Sequence, residues 1–116
     1  MVVDNELTRE LTDVDVDRIF HALADATRRD ILRRTLVGDT SVSGLAAAYA
    51  MSFAAVQKHV AVLEGAGLVT KQNRGRERLV RADPATIARA QKLLDAYTAL
   101  WRGRVDRLDA LLTEPE

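Results

Sequence analysis

Ser52, Phe53, Ala54, Gln57 and Lys58 lie close together in a chain with few other groups able to do chemistry. On a helix they share one side, because residues three and four apart are neighbours there. Their chemistry is recognition rather than bond-making. A Gln amide pairs with adenine N6 and N7, a Lys ammonium reaches guanine or a phosphate, and Phe or Ala touches a thymine methyl. Ser52 and the first backbone amides of such a helix hold a phosphate. The plainer alternative is a surface helix with incidental polar residues.

Further along, Arg74-Gly75-Arg76 forms the expected tip of a hairpin, with Arg78 and Arg81 on the returning strand. Glycine supplies the positive φ of a tight turn. Arginine at such a tip enters a narrow minor groove or binds its phosphates. The alternative is a solvated hairpin whose arginines protect an edge strand.

Other chemistries find little support. No nucleophile–base pair, glycine-rich phosphate loop or carboxylate pair stands out, so no enzyme and no cofactor is expected. The chain has no cysteine, which removes disulfides and thiolate metal sites. Neither His21 nor His59 has a His or Cys four residues on. His21 has Asp17 and Asp25 four residues away on either side, a weak carboxylate–histidine constellation. Its ordinary reading is solvated carboxylates and a packing histidine, so no metal is expected. His59 lies beside an apolar stripe and is read as a packing or hydrogen-bonding residue.

The elements that must position these groups follow from periodicity and caps. Residues 1–12 are polar and are expected to form a tail or frayed helix. Val16, Ile19, Phe20 and Leu23 predict a helix from Asp13 to about Ala24, with aspartates in its first turn where the dipole favours them. A second helix is expected from about Thr27 to Val37, with Ile31, Leu32 and Leu36 inward. Its arginines, Arg28, Arg29, Arg33 and Arg34, are expected largely outward. Ser41 caps a short third helix, Val42 to Tyr49. Gly44 stands where a complete capping box would have Glu or Gln. Ala50-Met51 is the turn, and Ser52 caps a fourth helix from Phe53 to about Ala66. Val56, Val60 and Leu63 form its buried stripe, and Gly67 its stop.

Two strands follow, Leu68 to Gln72 and Glu77 to Ala82, around a turn at Asn73-Arg74-Gly75-Arg76. Asp83-Pro84 starts a last helix reaching about Leu112, roughly 29 residues and over 40 Å long. Leu94, Tyr97, Trp101, Val105 and Leu108 make a seam on it near a period of about 3.5 residues. A chain this small has little core left to receive that seam. A second copy is the expected partner. The alternative is that the helix folds back on its own chain. Gly103 weakens this helix by roughly 1 kcal/mol relative to Ala.

Composition agrees with one soluble, mainly helical domain over residues 13–112, followed by a short tail at 113–116. The chain has 116 residues, 47% of them hydrophobic and only 4% aromatic. No apolar run approaches the length of a membrane span and no signal peptide is apparent, so a cytoplasmic protein is expected. The formal net charge is zero, but it is unevenly placed. Residues 1–25 carry two arginines against seven carboxylates, and residues 52–81 carry six cations against two carboxylates. The local field, not the total, decides where phosphates go.

The expected order is α-α-α-α-β-β-α: mainly α with a small β-hairpin, a winged helix-turn-helix. The chain resembles the ArsR-type winged-helix transcriptional repressors from about Asp17 to Leu112. The resemblance is carried by Ala22 through Leu32 (ALADATRRDIL), by Val42-Ser43-Gly44-Leu45-Ala46, by Met51-Ser52 through Val69, and by Gly75-Arg76-Glu77-Arg78. It implies homodimers built from the first and last helices, and repression by covering operator DNA. It implies base reading by Ser52, Phe53, Ala54, Gln57 and Lys58 and a wing at Arg74 and Arg76. Metal-sensing members use cysteines on the third helix or Asp and His on the last. Here the third helix has neither, and the last has Asp95, Asp106 and Asp109 but no His. The chain is thus similar to the metal-independent branch, through Ala24–Leu32 and Leu100–Leu112. Ala50 stands where glycine is common in that family, and at positive φ would cost around 1 kcal/mol.

The expectation is therefore a dimeric, sequence-specific DNA-binding repressor of double-stranded DNA. Its candidate DNA contacts are Ser41, Ser43, Ser52, Phe53, Ala54, Gln57, Lys58, Arg74, Arg76 and Arg78. Its candidate dimer contacts are Phe20, Leu94, Tyr97, Trp101, Val105 and Leu108. The residues also permit a small apolar effector between the two long helices near Tyr97 and Trp101. The competing reading is a winged-helix protein-interaction module without DNA binding, which usually loses the basic wing and polar reading face that this chain keeps.

Overall fold

The computed structural model describes residues 10–113. Of the tails expected at residues 1–12 and 113–116, residues 1–9 and 114–116 lie outside the described residues.

Helix α1 (Asp13–Leu23) begins at a reciprocal cap. The Asp15 amide donates to Thr12 Oγ1 at 3.1 Å, and the Thr12 amide donates to Asp15 Oδ2 at 3.0 Å. Asp15 therefore closes the cap as well as favouring the dipole. Helix α2 (Ala26–Val37) is capped by Asp25, whose carboxylate accepts from the Arg28 amide at 3.0 Å.

The arginines of α2 are more engaged than the sequence suggests. Arg28 Nε donates to the Ala22 carbonyl at 2.8 Å and its Nη2 to the His21 carbonyl at 3.0 Å. Arg29 Nη1 donates to the Leu23 carbonyl at 2.8 Å. These are the last carbonyls of α1, a helix end that attracts cations, although the His21 carbonyl also accepts from the Ala24 amide at 3.2 Å. Arg33 and Arg34 pair with Asp30 at 2.7 and 2.9 Å. Leu36, expected inward, is instead 50% exposed. Thr35 takes the inward position beside Ile31 and Leu32, and its hydroxyl donates to the Leu32 carbonyl at 2.8 Å.

A two-residue strand, β1 (Thr40–Ser41), precedes α3 (Val42–Ala47). The expected element order lacks it, because two residues are too few to show alternation. Ser41 Oγ accepts from the Gly44 amide at 2.9 Å, as an N-cap should. A Cβ at Gly44 would lie 3.1 Å from Ser41 Oγ and 3.2 Å from Thr40 Oγ1. A side chain there would have to displace both hydroxyls by a few tenths of an ångström. The helix ends two residues earlier than expected, leaving Tyr49 in the turn. No non-glycine residue among those described has positive φ, so the strain expected at Ala50 does not arise.

Ser52 Oγ accepts from the Ala55 amide at 3.1 Å to cap α4 (Phe53–Gly65). Val56, Val60 and Leu63 are each at most 1% exposed and join Ile31, Leu45, Leu68 and Val80 in one core. Each such side chain contributes roughly 1.5–3 kcal/mol relative to exposure. Gly67 has φ +75° and ends the helix region. A Cβ there would approach Thr86 Oγ1 at 3.3 Å, and the Thr86 hydroxyl donates to the Gly67 carbonyl at 2.6 Å.

Strands β2 (Val69–Arg74) and β3 (Glu77–Ala82) pair antiparallel, with Arg74 opposite Glu77. The loop is therefore two residues, Gly75 and Arg76, tighter than the four-residue turn expected. Gly75 has φ +62° and Arg76 does not have positive φ. That matches a II′ turn, whose twist suits a hairpin. Thr40 and Ser41 of β1 pair with Val80 and Leu79, giving sheet order β1-β3-β2.

The last helix, α5 (Pro84–Thr113), has 30 residues and is ~45 Å long. Its first turns meet the core through Ile87 and the buried Thr86 and Arg89. From Gln91 onward almost every residue is exposed. The radius of gyration is 19.4 Å, against ~13 Å for a compact domain near this length. No helix among the described residues is long and apolar enough to cross a membrane.

Candidate nucleic-acid interface

Three elements converge on one open cleft. Ser43 comes from α3, Phe53 and Gln57 from α4, and Arg76, Glu77 and Arg78 from the hairpin. The packing that buries Val56, Val60 and Leu63 leaves the first two turns of α4 facing out beside the hairpin. Ser52, Ala54, Lys58 and Ala61 are exposed on that outer side. Residues far apart in sequence thus meet: Ser43, Phe53, Gln57, Arg76 and Arg78 share the cleft. Ser41 differs from them, being half-buried with its oxygen already accepting from Gly44.

The hairpin arginines divide into two sets. Successive side chains point to opposite faces of a strand. Lys71, Asn73, Arg78 and Val80 share one face by register, and Arg74, Leu79 and Arg81 the other. Arg78 Nε donates to Asn73 Oδ1 at 3.2 Å within its face. Arg81, on the returning strand as expected, is held away from the tip. Its Nε and Nη2 both donate to Asp39 Oδ2, at 3.1 and 2.8 Å. The hydrogen bonds from Arg81 hold the Asp39 carboxyl below the usual range, against partial desolvation, and the charges of Arg81 and Arg74 add to the effect. Arg81 therefore ties β3 to the loop after α2.

Lys71 and Glu77 also line the cleft, and sequence reasoning did not select them. Lys71 Nζ lies 3.3 Å from Glu64 Oε1 of α4. The available signal was register. Once Arg74 pairs with Glu77, Lys71 falls opposite Val80 and turns toward the helices.

No protein-family model matches the chain. The HTH-type transcriptional regulator Rv2034 of Mycobacterium tuberculosis is 38% identical over 81 residues, which span 70% of this chain and 76% of that protein. The ArsR-like transcriptional regulator from Rhodococcus sp. RHA1 is 31% identical with a TM-score of 0.76, covering 89% of this chain and 96% of that one. The chain belongs to the ArsR family of transcriptional regulators. This ArsR-family chain is accordingly a transcriptional regulator with a winged helix-turn-helix fold, and not an enzyme. The same fold, at 23% identity and a TM-score of 0.57, occurs in the homodimeric DNA-binding domain of Mb0332 from Mycobacterium bovis. That likeness covers 85% of this chain and 91% of that one.

Around this ArsR-type core, Asp25 and His59 have structural partners, whereas His21, expected to pack on the domain, is exposed. Asp25 caps α2 rather than completing a set with His21 and Asp17. The hydrogen bond from the Arg28 amide lowers its carboxyl pKa most, and the charges of Arg28 and His59 lower it further. Asp25 Oδ2 lies 3.9 Å from His59 Nδ1, and Arg28 Nη1 lies 3.4 Å from that nitrogen. His59 thus joins α4 to the α1–α2 corner. Among the described residues no group of three or more His, Cys, Asp or Glu is placed to hold a metal ion.

The predicted seam of this ArsR-family regulator is exposed along α5. Tyr97 and Trp101 are 58% and 60% exposed, with Leu94, Val105 and Leu108 also open and Phe20 of α1 at 41%. Leu100, Leu111 and Leu112 widen the apolar face beyond the residues selected from periodicity. Arg104 stacks over the Trp101 ring, 5.5 Å from its centroid.

Proposed function

We propose that this regulator is a homodimeric repressor that covers operator DNA. The first turns of α4 enter the major groove, and the hairpin lies against the minor groove or its phosphates. The observation that carries this reading is the shared cleft of Ser43, Phe53 and Gln57 with Arg76 and Arg78. Base-reading side chains and phosphate-binding cations are thereby presented side by side. Ser52, Ala54 and Lys58 extend the reading face, and Arg74 adds charge at the wing. Ser41 acts in this reading as the cap that positions Ser43, rather than as a contact.

The dimer reading rests on α5. Its outer two-thirds carries an apolar face with no intramolecular cover among the described residues. Phe20, Leu94, Tyr97, Trp101, Val105 and Leu108 are its proposed contacts. Two-fold symmetry then sets two copies of α4 about one helical turn, ~34 Å, apart. A small apolar effector near Tyr97 and Trp101 would act by changing that spacing.

A gel shift with the chain's own promoter region, run against unrelated competitor DNA, tests the reading. Retarded DNA that resists competitor supports it. A folded protein that retards no DNA would favour the protein-interaction module instead.

A further inference from the structure

The outer face of α4 is unusually apolar for a surface meant to meet a polar duplex. Ser52, Phe53, Ala54, Gln57, Lys58 and Ala61 form it. The Ser52 oxygen already accepts from Ala55. Gln57 and Lys58 alone then remain as long hydrogen-bonding side chains, while Phe53, Ala54 and Ala61 offer only carbon.

Phe53 stands at the border of the two sides of α4. At about 100° per residue it lies next to Val60 on the buried side and Gln57 on the exposed side. It is 48% exposed and stands outside the buried core. The other exposed aromatics, Phe20, Tyr97 and Trp101, belong to α1 and α5. A seam on those helices leaves the ring of Phe53, on α4 beside the hairpin, in the open. Covering such a ring is favourable, so its partner should present a matching apolar group.

The surroundings name that partner. Arg76 and Arg78 line the cleft beside the ring, with positive charge suited to phosphates. Between the phosphates of a duplex, the major-groove edges carry one apolar group, the C5-methyl of thymine. We infer that Phe53, assisted by Ala54, is a specificity-determining residue that reads thymine C5-methyl groups. Each half-site then carries thymine where the start of α4 enters the groove. The inference rests on the DNA-binding reading above and adds which base the helix selects and by what group.

Replacing thymine by deoxyuridine tests it, because only the methyl is lost while pairing and phosphates stay the same. Duplexes enriched from a random pool by the full chain are remade with deoxyuridine at each thymine in turn, and affinities are compared. Loss of a contacted methyl should weaken wild-type binding about fourfold, the equivalent of one buried CH₂-sized group. In Phe53→Ala the two duplexes should bind alike at that position. Phe53→Leu, which stays apolar, should keep part of the difference. Circular dichroism checks that both variants fold. Undiminished binding of every deoxyuridine duplex by wild type would overturn methyl reading and leave the DNA-binding reading standing. A deoxyuridine penalty that persists in full in folded Phe53→Ala would also overturn it. Failure to enrich any duplex would overturn both.

Discussion

The Tyr49 hydroxyl donates to Asp30 Oδ2 at 2.5 Å, joining the turn before α4 to the middle of α2. The Arg34 guanidinium also lies 5.5 Å from the centroid of the Tyr49 ring. Hydrogen bonds from Tyr49, then Arg34 and Arg33, hold the Asp30 carboxyl far below the ordinary carboxylate range. A carboxylate with a depressed folded pKa stabilises fully above its unfolded value, ~3.9, and progressively less as pH falls through that value. The urea midpoint of the wild type should therefore drop on acidification below about pH 5. Tyr49→Phe and Asp30→Asn should each lower the midpoint at neutral pH and flatten the acid limb. An acid limb as steep in Asp30→Asn as in wild type would contradict this.

The division of the hairpin arginines makes a second prediction. Each phosphate contact contributes about 0.9 to the slope of log affinity against log salt. Arg74→Ala with Arg76→Ala should weaken binding to all sequences and reduce that slope by up to about 2. Arg81→Ala, whose guanidinium is held by Asp39, should leave the slope unchanged. Binding titrations at several salt concentrations separate the cases. A slope unaltered by the double change would remove the wing from the interface.

The exposed α5 face makes a third. Trp101→Asp puts a charge into an apolar seam and should leave a monomer of 12.8 kDa, whereas the wild type should sediment at twice that mass. Operator binding should fall by roughly 10²-fold or more, because the second half-site no longer binds intramolecularly. Analytical ultracentrifugation checks the first effect, and a wild type already monomeric at micromolar concentration would contradict the dimer.

Gly67 makes a fourth. It holds φ +75°, and a Cβ would crowd Thr86 Oγ1 at 3.3 Å. Gly67→Ala should cost at least about 1–2 kcal/mol, seen as a lower urea midpoint with the m-value unchanged. An unchanged midpoint would show that the turn after α4 adapts freely.

Much of this was legible because it is local. Ser41, Ser52 and Asp83-Pro84 mark helix starts through caps that act within three residues, and Gly67 marks a stop through its own φ. The stripe Val56, Val60, Leu63 followed from helical spacing. What stayed hidden depends on partners distant in sequence. The Arg81–Asp39 tie has no local signal because the two lie 42 residues apart. β1 exists only through its pairing with β3. Leu36 looked inward because periodicity alone does not say that Thr35 takes the place facing the core. The Tyr49–Asp30 tie spans 19 residues and carries no local pattern at all. The cleft was predicted in its parts, but Lys71 entered it only once the hairpin register was known, and Glu77 only through its place beside the two-residue turn.

The central claim is that two copies of α4, each flanked by its wing, read DNA together. Selection of bound duplexes from a random pool tests it most directly. The expected product is one motif repeated with inverted symmetry, its half-site centres about one helical turn, ~34 Å, apart. A pool that stays unenriched, or that converges on a single unrepeated motif, would contradict it.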